Sequence, residues 1–160
     1  MTQGGGRGGE SALALLRERV LPALERQAAL YDQLAAFGPR QDALIESDQG
    51  DGLLRLMGER QTVVDELVEV HRSIEDIRDR WQGFVESLPA GERMALGERL
   101  NALKALAARV HEQDARTREQ LDSARERVRE GLGDLGRARG AMRAYGPTGG
   151  ALPRHQDREA

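Results

Sequence analysis

The residue types that most often bind metals or perform catalysis are few in this chain and poorly spaced for either role. The sequence has three histidines, His71, His111 and His155, and no cysteine. The stretch HEQDA at 111–115 begins like the helix of a zinc protease, but Ala115 stands where the second metal-binding histidine belongs. No serine lies in the strand-to-helix motif of a hydrolase nucleophile. We therefore predict that the protein is not an enzyme and binds no metal or cofactor.

The glycine-rich N-terminus, GGGRGG at residues 4–9, has the composition of a phosphate-binding loop. A phosphate loop of the Walker type continues with Lys and then Ser or Thr, and it follows a strand. The sequence here offers neither feature. We expect residues 1–10 to be disordered, together with the polar residues 146–160, which are rich in glycine and proline.

Arginine is abundant in the C-terminal third of the chain, where it could contact nucleic-acid phosphates. The arginines concerned are Arg116, Arg118, Arg125, Arg127, Arg129, Arg137, Arg139 and Arg143. Acidic residues alternate with them along the chain, which is typical of a solvated helix surface of mixed charge. Nucleic-acid binding is therefore the less favoured alternative, and we expect no nucleic-acid partner.

Apolar residues at helical spacing form a better candidate site near the C-terminus. Val128, Leu132, Leu135 and Met142 share one face of a helix, although the seam around them has become small and polar. Such a face suits a partner helix that lies against it. The alternative, a coiled coil that ends in poor helix formers and has no partner-binding role there, remains open.

Four glycines weaken the same helix end. Gly131, Gly133, Gly136 and Gly140 each cost about 1 kcal/mol relative to alanine, so together they cost roughly 4 kcal/mol, a large part of a small domain's stability. We expect this segment to fray alone and to order against a partner. The next residue of note is Tyr145, where little core remains; docking to a partner and a contact at the end of a bundle both stay open as its role.

Three long amphipathic helices must position these residues. They are predicted over 11–47, 51–86 and 90–144, with kinks at Pro22 and Gly38-Pro39. In the second helix two seven-residue tracks of apolar residues, interrupted at Arg60, form a coiled-coil seam that includes Trp81 and Phe84. In the third helix the seam starts at Leu96 and becomes polar from Asp114 onward. Asp48 or Asp51 is expected to cap the second helix, and Pro89 to start the third.

The composition agrees with this helical pattern. Charged residues make up 32% of the 160-residue chain and aromatic residues only 3%, which suits helices with a narrow buried seam. No apolar run approaches the ~18 residues that span a bilayer, and the N-terminus lacks the apolar stretch of a secretory signal. We therefore expect a cytoplasmic protein without membrane insertion. The predicted fold is all-α, an antiparallel three-helix bundle or coiled coil with a long C-terminal helix.

Residues 31–70 carry a resemblance to a known family. They read YDQLAAFGPRQDALIESDQGDGLLRLMGERQTVVDELVEV. The phrase QDALIESD at a helix end, a short turn, and a helix with apolar pairs resemble the FlgN family, flagellar export chaperones for hook–filament junction proteins. The long third helix and the tail extend the resemblance over about residues 11–145. Gly38-Pro39 and the glycine density at 131–140 depart from the family pattern.

The resemblance implies a cytoplasmic chaperone of type III flagellar export. It implies that the amphipathic C-terminal segment of a hook-associated protein becomes helical against the last helix of the chaperone. It implies docking to the flagellar export gate through Tyr145. We expect the protein to be a monomer or weak homodimer. The client-binding residues would be Leu121, Val128, Leu132, Leu135 and Met142. A structural coiled-coil oligomer without a client remains the main alternative.

Overall fold

The structure, a computed structural model, describes residues 5–145, with side chains for residues 8–144. Every regular element in this part of the chain is a helix, so the predicted all-α class is confirmed. The elements are α1 (Gly5–Leu15), a π-helical segment (Leu16–Val20), α2 (Leu21–Glu46), α3 (Gly50–Ser73), α4 (Glu75–Arg78), α5 (Trp81–Glu86) and α6 (Ala90–Tyr145). The chain divides into two units, Met1–Gln120 and Leu121–Ala160, and α6 contributes to both.

Only part of each terminus can be compared with the sequence-based predictions, because the structure describes residues 5–145. Helix α1 begins at Gly5, so part of the predicted N-terminal tail is helical. Residues 1–4 and the predicted flexible tail at 146–160 lie outside the described residues. Helix α6 runs through Tyr145, one residue past the predicted end of the third helix.

Ion pairs between α2 and α3 fix the relative direction of these two helices in the first unit. Arg26 pairs with Glu66, and Arg40 pairs with Glu59 across 3.4 Å. A later position in α2 therefore meets an earlier position in α3, so the two helices are antiparallel. These pairs are about half exposed, and pairs of that kind contribute little to stability.

Helix α6 runs parallel to α2 within the first unit. Arg99 pairs with Glu25 across 3.3 Å, while the side chain of Gln113 lies against Gly38. A Cβ atom built on Gly38 would come within 2.4 Å of that side chain, so glycine permits the close approach. The first unit is thus the predicted antiparallel bundle of three helical segments.

Two clusters of buried side chains form the core of the first unit. One packs the N-terminal helical segments against α4, α5 and the start of α6; its members are Ala12, Leu16, Val20, Ala23, Leu24, Ile74, Ile77, Phe84, Leu88 and Leu96. The other packs α2 against α3 and α6; its members are Leu30, Leu34, Phe37, Leu56, Val63, Leu67 and Val110. Burying each Leu or Phe contributes about 1.5–3 kcal/mol. The predicted seam of the second helix is therefore the one that the fold buries.

The second predicted helix is nevertheless broken twice. The backbone leaves helical geometry at Ile74 (φ −120°) and again at Arg80 (φ −116°). At the first break Arg19 donates to the Ser73 carbonyl across 2.6 Å and to both carboxylate oxygens of Asp76 across 2.7 and 2.8 Å. The guanidinium satisfies a carbonyl that the end of α3 leaves without an intrahelical partner. The prediction of one continuous helix over 51–86 is wrong at these two positions.

Proline shapes the first predicted helix without ending it. The Leu21 N–H bonds to the Leu16 carbonyl five residues earlier, and this wide π turn directly precedes Pro22. Pro22 has no N–H, and its ring crowds the carbonyl four residues before it, so a wider turn accommodates it. Pro39 lies inside α2, which continues to Glu46.

The turn between α2 and α3 depends on a left-handed residue. Asp48 has φ 54°, its N–H bonds to the Ile45 carbonyl across 3.3 Å, and the next N–H, of Gln49, bonds to the Leu44 carbonyl across 3.1 Å. These two bonds form a Schellman motif that closes α2. The N-cap of α3 is Gln49, without a side-chain cap bond, so Asp48 closes one helix instead of capping the next.

Candidate partner-binding surface

The seam of α6 changes character inside the first unit. Val110 is buried in the second cluster, whereas Asp114, one turn later, pairs with Arg60 across 2.5 Å. The Arg60 side chain is only 17% exposed and that of Asp114 35%. Thr117 is buried too, and its hydroxyl has no hydrogen-bond partner in the described part of the chain. From Asp114 onward, the seam residues of α6 in this unit are therefore polar.

Arg60 and Asp114 were each visible in the sequence as an interruption of a separate seam. The structure makes them partners, which the spacing within either helix could not indicate. The pair joins α3 to α6 at the point where both seams are interrupted.

Large apolar side chains return in the second unit, and they are exposed. Leu121 is 38% exposed, and the exposed fractions of the other four predicted client-binding residues are at least 58%; these are Val128, Leu132, Leu135 and Met142. Scattered exposed apolar residues are normal on a protein surface, but a contiguous row of them marks an interaction site. We call these five residues the C-terminal stripe.

Helical geometry brings the C-terminal stripe onto one face of α6. At about 100° per residue the five side chains fall within an arc of about 80°, and at 1.5 Å per residue they extend over about 32 Å. The arc is as narrow as the seam of a two-helix contact. The structure therefore places together all five residues that the sequence selected.

The four glycines of this segment contact nothing that requires them. A Cβ atom built on Gly131, Gly133, Gly136 or Gly140 meets no heavy atom within 4 Å among the described residues. Their backbone is helical without positive φ. Alanine would therefore fit at each position, and the glycines act on the helix only through their low propensity.

Charge is segregated around the C-terminal stripe, which the sequence analysis missed. On the helical projection Arg125, Arg139 and Arg143 lie within about 60° of the centre of the stripe. The acidic residues of the segment all lie about 120° or more from that centre; they are Asp122, Glu126, Glu130 and Asp134. Basic and acidic residues alternate along the chain, and they separate only when each is placed by its angle around the helix axis.

Ion pairing strengthens this asymmetry. Arg137, on the far face, pairs with Asp134, and Arg129 pairs with Glu126 across 3.7 Å. Arg125, Arg139 and Arg143 make no ion pair with any described residue. The three arginines nearest the stripe therefore carry charges that no described acidic residue pairs with, as does Arg127, which lies about 100° from the centre of the stripe.

The other predicted site residues give no competing surface. His71 is half-buried in α3, where burial and the nearby Arg78 lower its pKa, while His111 is exposed on α6. His155 and the side chain of Tyr145 lie outside the described residues, so docking through Tyr145 stays a prediction. Within residues 5–145 no group of three or more His, Asp or Glu side chains is arranged to hold a metal ion. No helix in the described range is long and apolar enough to cross a bilayer.

The exposed apolar face of α6 has the form of a surface on which a partner helix can pack. Protein-family models, curated proteins and solved structures were each compared with the chain, and none of them matches it.

Proposed function

We propose that the protein is a cytoplasmic, non-enzymatic chaperone that binds an amphipathic helical segment of a client along the C-terminal stripe. The observation that carries the proposal is the row of five large apolar side chains exposed on one narrow face of α6. A client segment whose own apolar seam is uncovered before assembly would aggregate, and contact with the stripe covers it.

The resemblance at residues 31–70 narrows the proposed client. It favours a hook–filament junction protein whose C-terminal segment is held for flagellar export, with Tyr145 as the residue that docks to the export gate. A helix-binding surface on α6 does not require a flagellar client, so the two parts of the proposal are tested separately.

The expected affinity is moderate, which suits a client that must be released. Removing the remaining exposed area of five such side chains from water contributes on the order of 5 kcal/mol. Part of this is offset by the loss of rotational and translational freedom on association and by ordering a glycine-rich segment. Release at a gate then requires little work.

Matched pairs of exposed residues give a sharp test. Leu132 and Met142 lie in the C-terminal stripe, whereas Leu54 and Met94 have the same side chains, are 73% and 70% exposed, and lie in the first unit. We expect L132A/M142A to weaken binding of the C-terminal segments of junction proteins about tenfold or more by calorimetry, and L54A/M94A to change it less than twofold. Equal effects of the two double variants would refute the stripe as the binding surface.

The flagellar part of the proposal is tested by comparing the affinities of different peptide ligands. Segments of junction proteins encoded in the same genome are compared with scrambled segments of equal composition. If the natural and scrambled segments bind equally, the flagellar assignment is wrong even where the stripe variants abolish binding. In the same assay Tyr145→Ala should leave client affinity unchanged while lowering export in cells.

A further inference from the structure

The arginines beside the C-terminal stripe specify the charge of its partner. Arg125 and Arg139 lie two heptads apart on the same side of the stripe's centre, about 60° and 20° from it, and are separated by about 21 Å along the helix. Both are exposed and make no ion pair with the described residues. Charges in these flanking positions of paired helices select the partner through the opposite charge.

We propose that the occupant of the C-terminal stripe is an amphipathic helix of another polypeptide whose flank is acidic at two positions two heptads apart. The inference rests on the proposed function, because it names the chemistry of the helix that the stripe binds. Each acidic residue would meet one arginine at the edge of the contact, where ion pairs contribute modestly to affinity and strongly to partner choice.

A second copy of this chain fits the surface less well. In a parallel pair in register, the residues flanking the stripe on its inner side, Ala124, Gly131 and Ala138, would oppose themselves and leave voids. In an antiparallel pair Arg125 and Arg139 would face arginines of the other copy. A partner with larger side chains and acidic flanks removes both defects.

An anionic bilayer is also a poorer occupant. Helices that lie in the membrane interface present a broad apolar face, often with Trp or Phe. The apolar arc here is about 80° wide, and residues 121–144 contain no aromatic side chain. The narrow stripe with a basic edge therefore matches a helix better than a lipid surface.

Two designed peptides of identical composition test the proposal on the full-length protein. Both carry the same leucine seam over 21 residues; one has Glu beside the seam and Lys on its outer face, and the other has these exchanged. We expect the peptide with flanking Glu to bind about tenfold more tightly in low salt. The difference should shrink in about 1 M salt because exposed charges are then screened.

Two variants of this chain provide the matched comparison. Arg139 lies near the centre of the stripe, while Arg137, two residues earlier, lies on the opposite face and pairs with Asp134. Arg139→Glu should lower affinity for the Glu-flanked peptide and raise it for the Lys-flanked peptide. Arg137→Glu makes the same change in net charge and should alter neither.

The outcomes separate the two proposals. If neither peptide binds, the proposed function itself is wrong. If both bind equally and Arg139→Glu has no effect, the acidic partner is wrong while a helix-binding chaperone stands. Sedimentation showing a dimer that excludes both peptides, or displacement of the peptide by phosphatidylglycerol vesicles, would replace the acidic helix with a second copy or a membrane surface.

Discussion

Removing the carboxylate of Asp114 should destabilise the first unit far more than removing an exposed acidic residue. Asp114 bonds to Arg60 across 2.5 Å, and the Arg60 side chain is only 17% exposed. Asp114→Ala leaves this guanidinium without a partner and mostly shielded from water. Exposed pairs contribute about 0–1 kcal/mol, and breaking fully buried pairs costs about 3–5 kcal/mol. For this half-buried pair we expect a loss of about 2 kcal/mol.

The structure offers a matched control and a reciprocal variant. Glu69 pairs with Arg72 across 2.7 Å, but both side chains are more than 60% exposed, so Glu69→Ala should cost less than about 0.5 kcal/mol. The double variant R60L/D114L replaces both charged residues with apolar ones and completes both seams. It should be close to neutral or stabilising, because no charge is then left unpaired.

Urea unfolding followed by circular dichroism measures all of these variants. Midpoints and slopes are compared, since an unchanged slope indicates that the variants differ in stability and not in the extent of unfolding. Equal losses of unfolding free energy in Asp114→Ala and Glu69→Ala would contradict the predicted penalty for an unpaired Arg60. An R60L/D114L variant less stable than Asp114→Ala alone would contradict it too.

Three other predictions follow from local geometry. Replacing Gly133, Gly136 and Gly140 by alanine should raise the helicity measured by circular dichroism, because each alanine favours the helix by about 1 kcal/mol relative to glycine. Unchanged helicity together with unchanged client affinity would exclude folding on binding. Asp48→Gly should raise the free energy of unfolding by up to about 1 kcal/mol because φ is 54°, whereas Asp48→Val should lower it, and both changes appear as shifts of the urea midpoint. Arg19 lowers the pKa of Asp76 from 3.8 to about 2; this stabilisation is present above pH 4 and lost as pH falls towards 2, and Asp76→Asn should remove that step from the stability profile.

The buried seams could be predicted from spacing because a helix repeats its faces regularly. Heptad positions such as Leu67, Ile74 and Phe84 are buried as expected. The same regularity hid the breaks at Ile74 and Arg80, since the inward positions continue across them. The first break is stabilised by the guanidinium of Arg19, which precedes its partners Ser73 and Asp76 by 54 and 57 residues in the sequence. Contacts over such a separation leave no local signal.

Other differences between the sequence-based predictions and the structure arise at residues that can take more than one structural role. An aspartate in a turn can cap the next helix or adopt the left-handed conformation that closes the previous one, and at Asp48 the second role applies. The C-terminal stripe was predictable because its spacing is helical. The charge segregation around it was present in the sequence too, but it emerges only when residues are placed by angle instead of by order.

The interruptions at Ile74 and Arg80 have a consequence for how the protein folds and fails. Helices α4 and α5 contain four and six residues, too few to persist without tertiary support. Their support is the first cluster, to which α1 and the π-helical segment contribute Ala12, Leu16 and Val20. This stretch can therefore form only after the two distant parts of the chain have met. A nick or truncation near the amino terminus would melt it first and expose residues 75–86 to proteases.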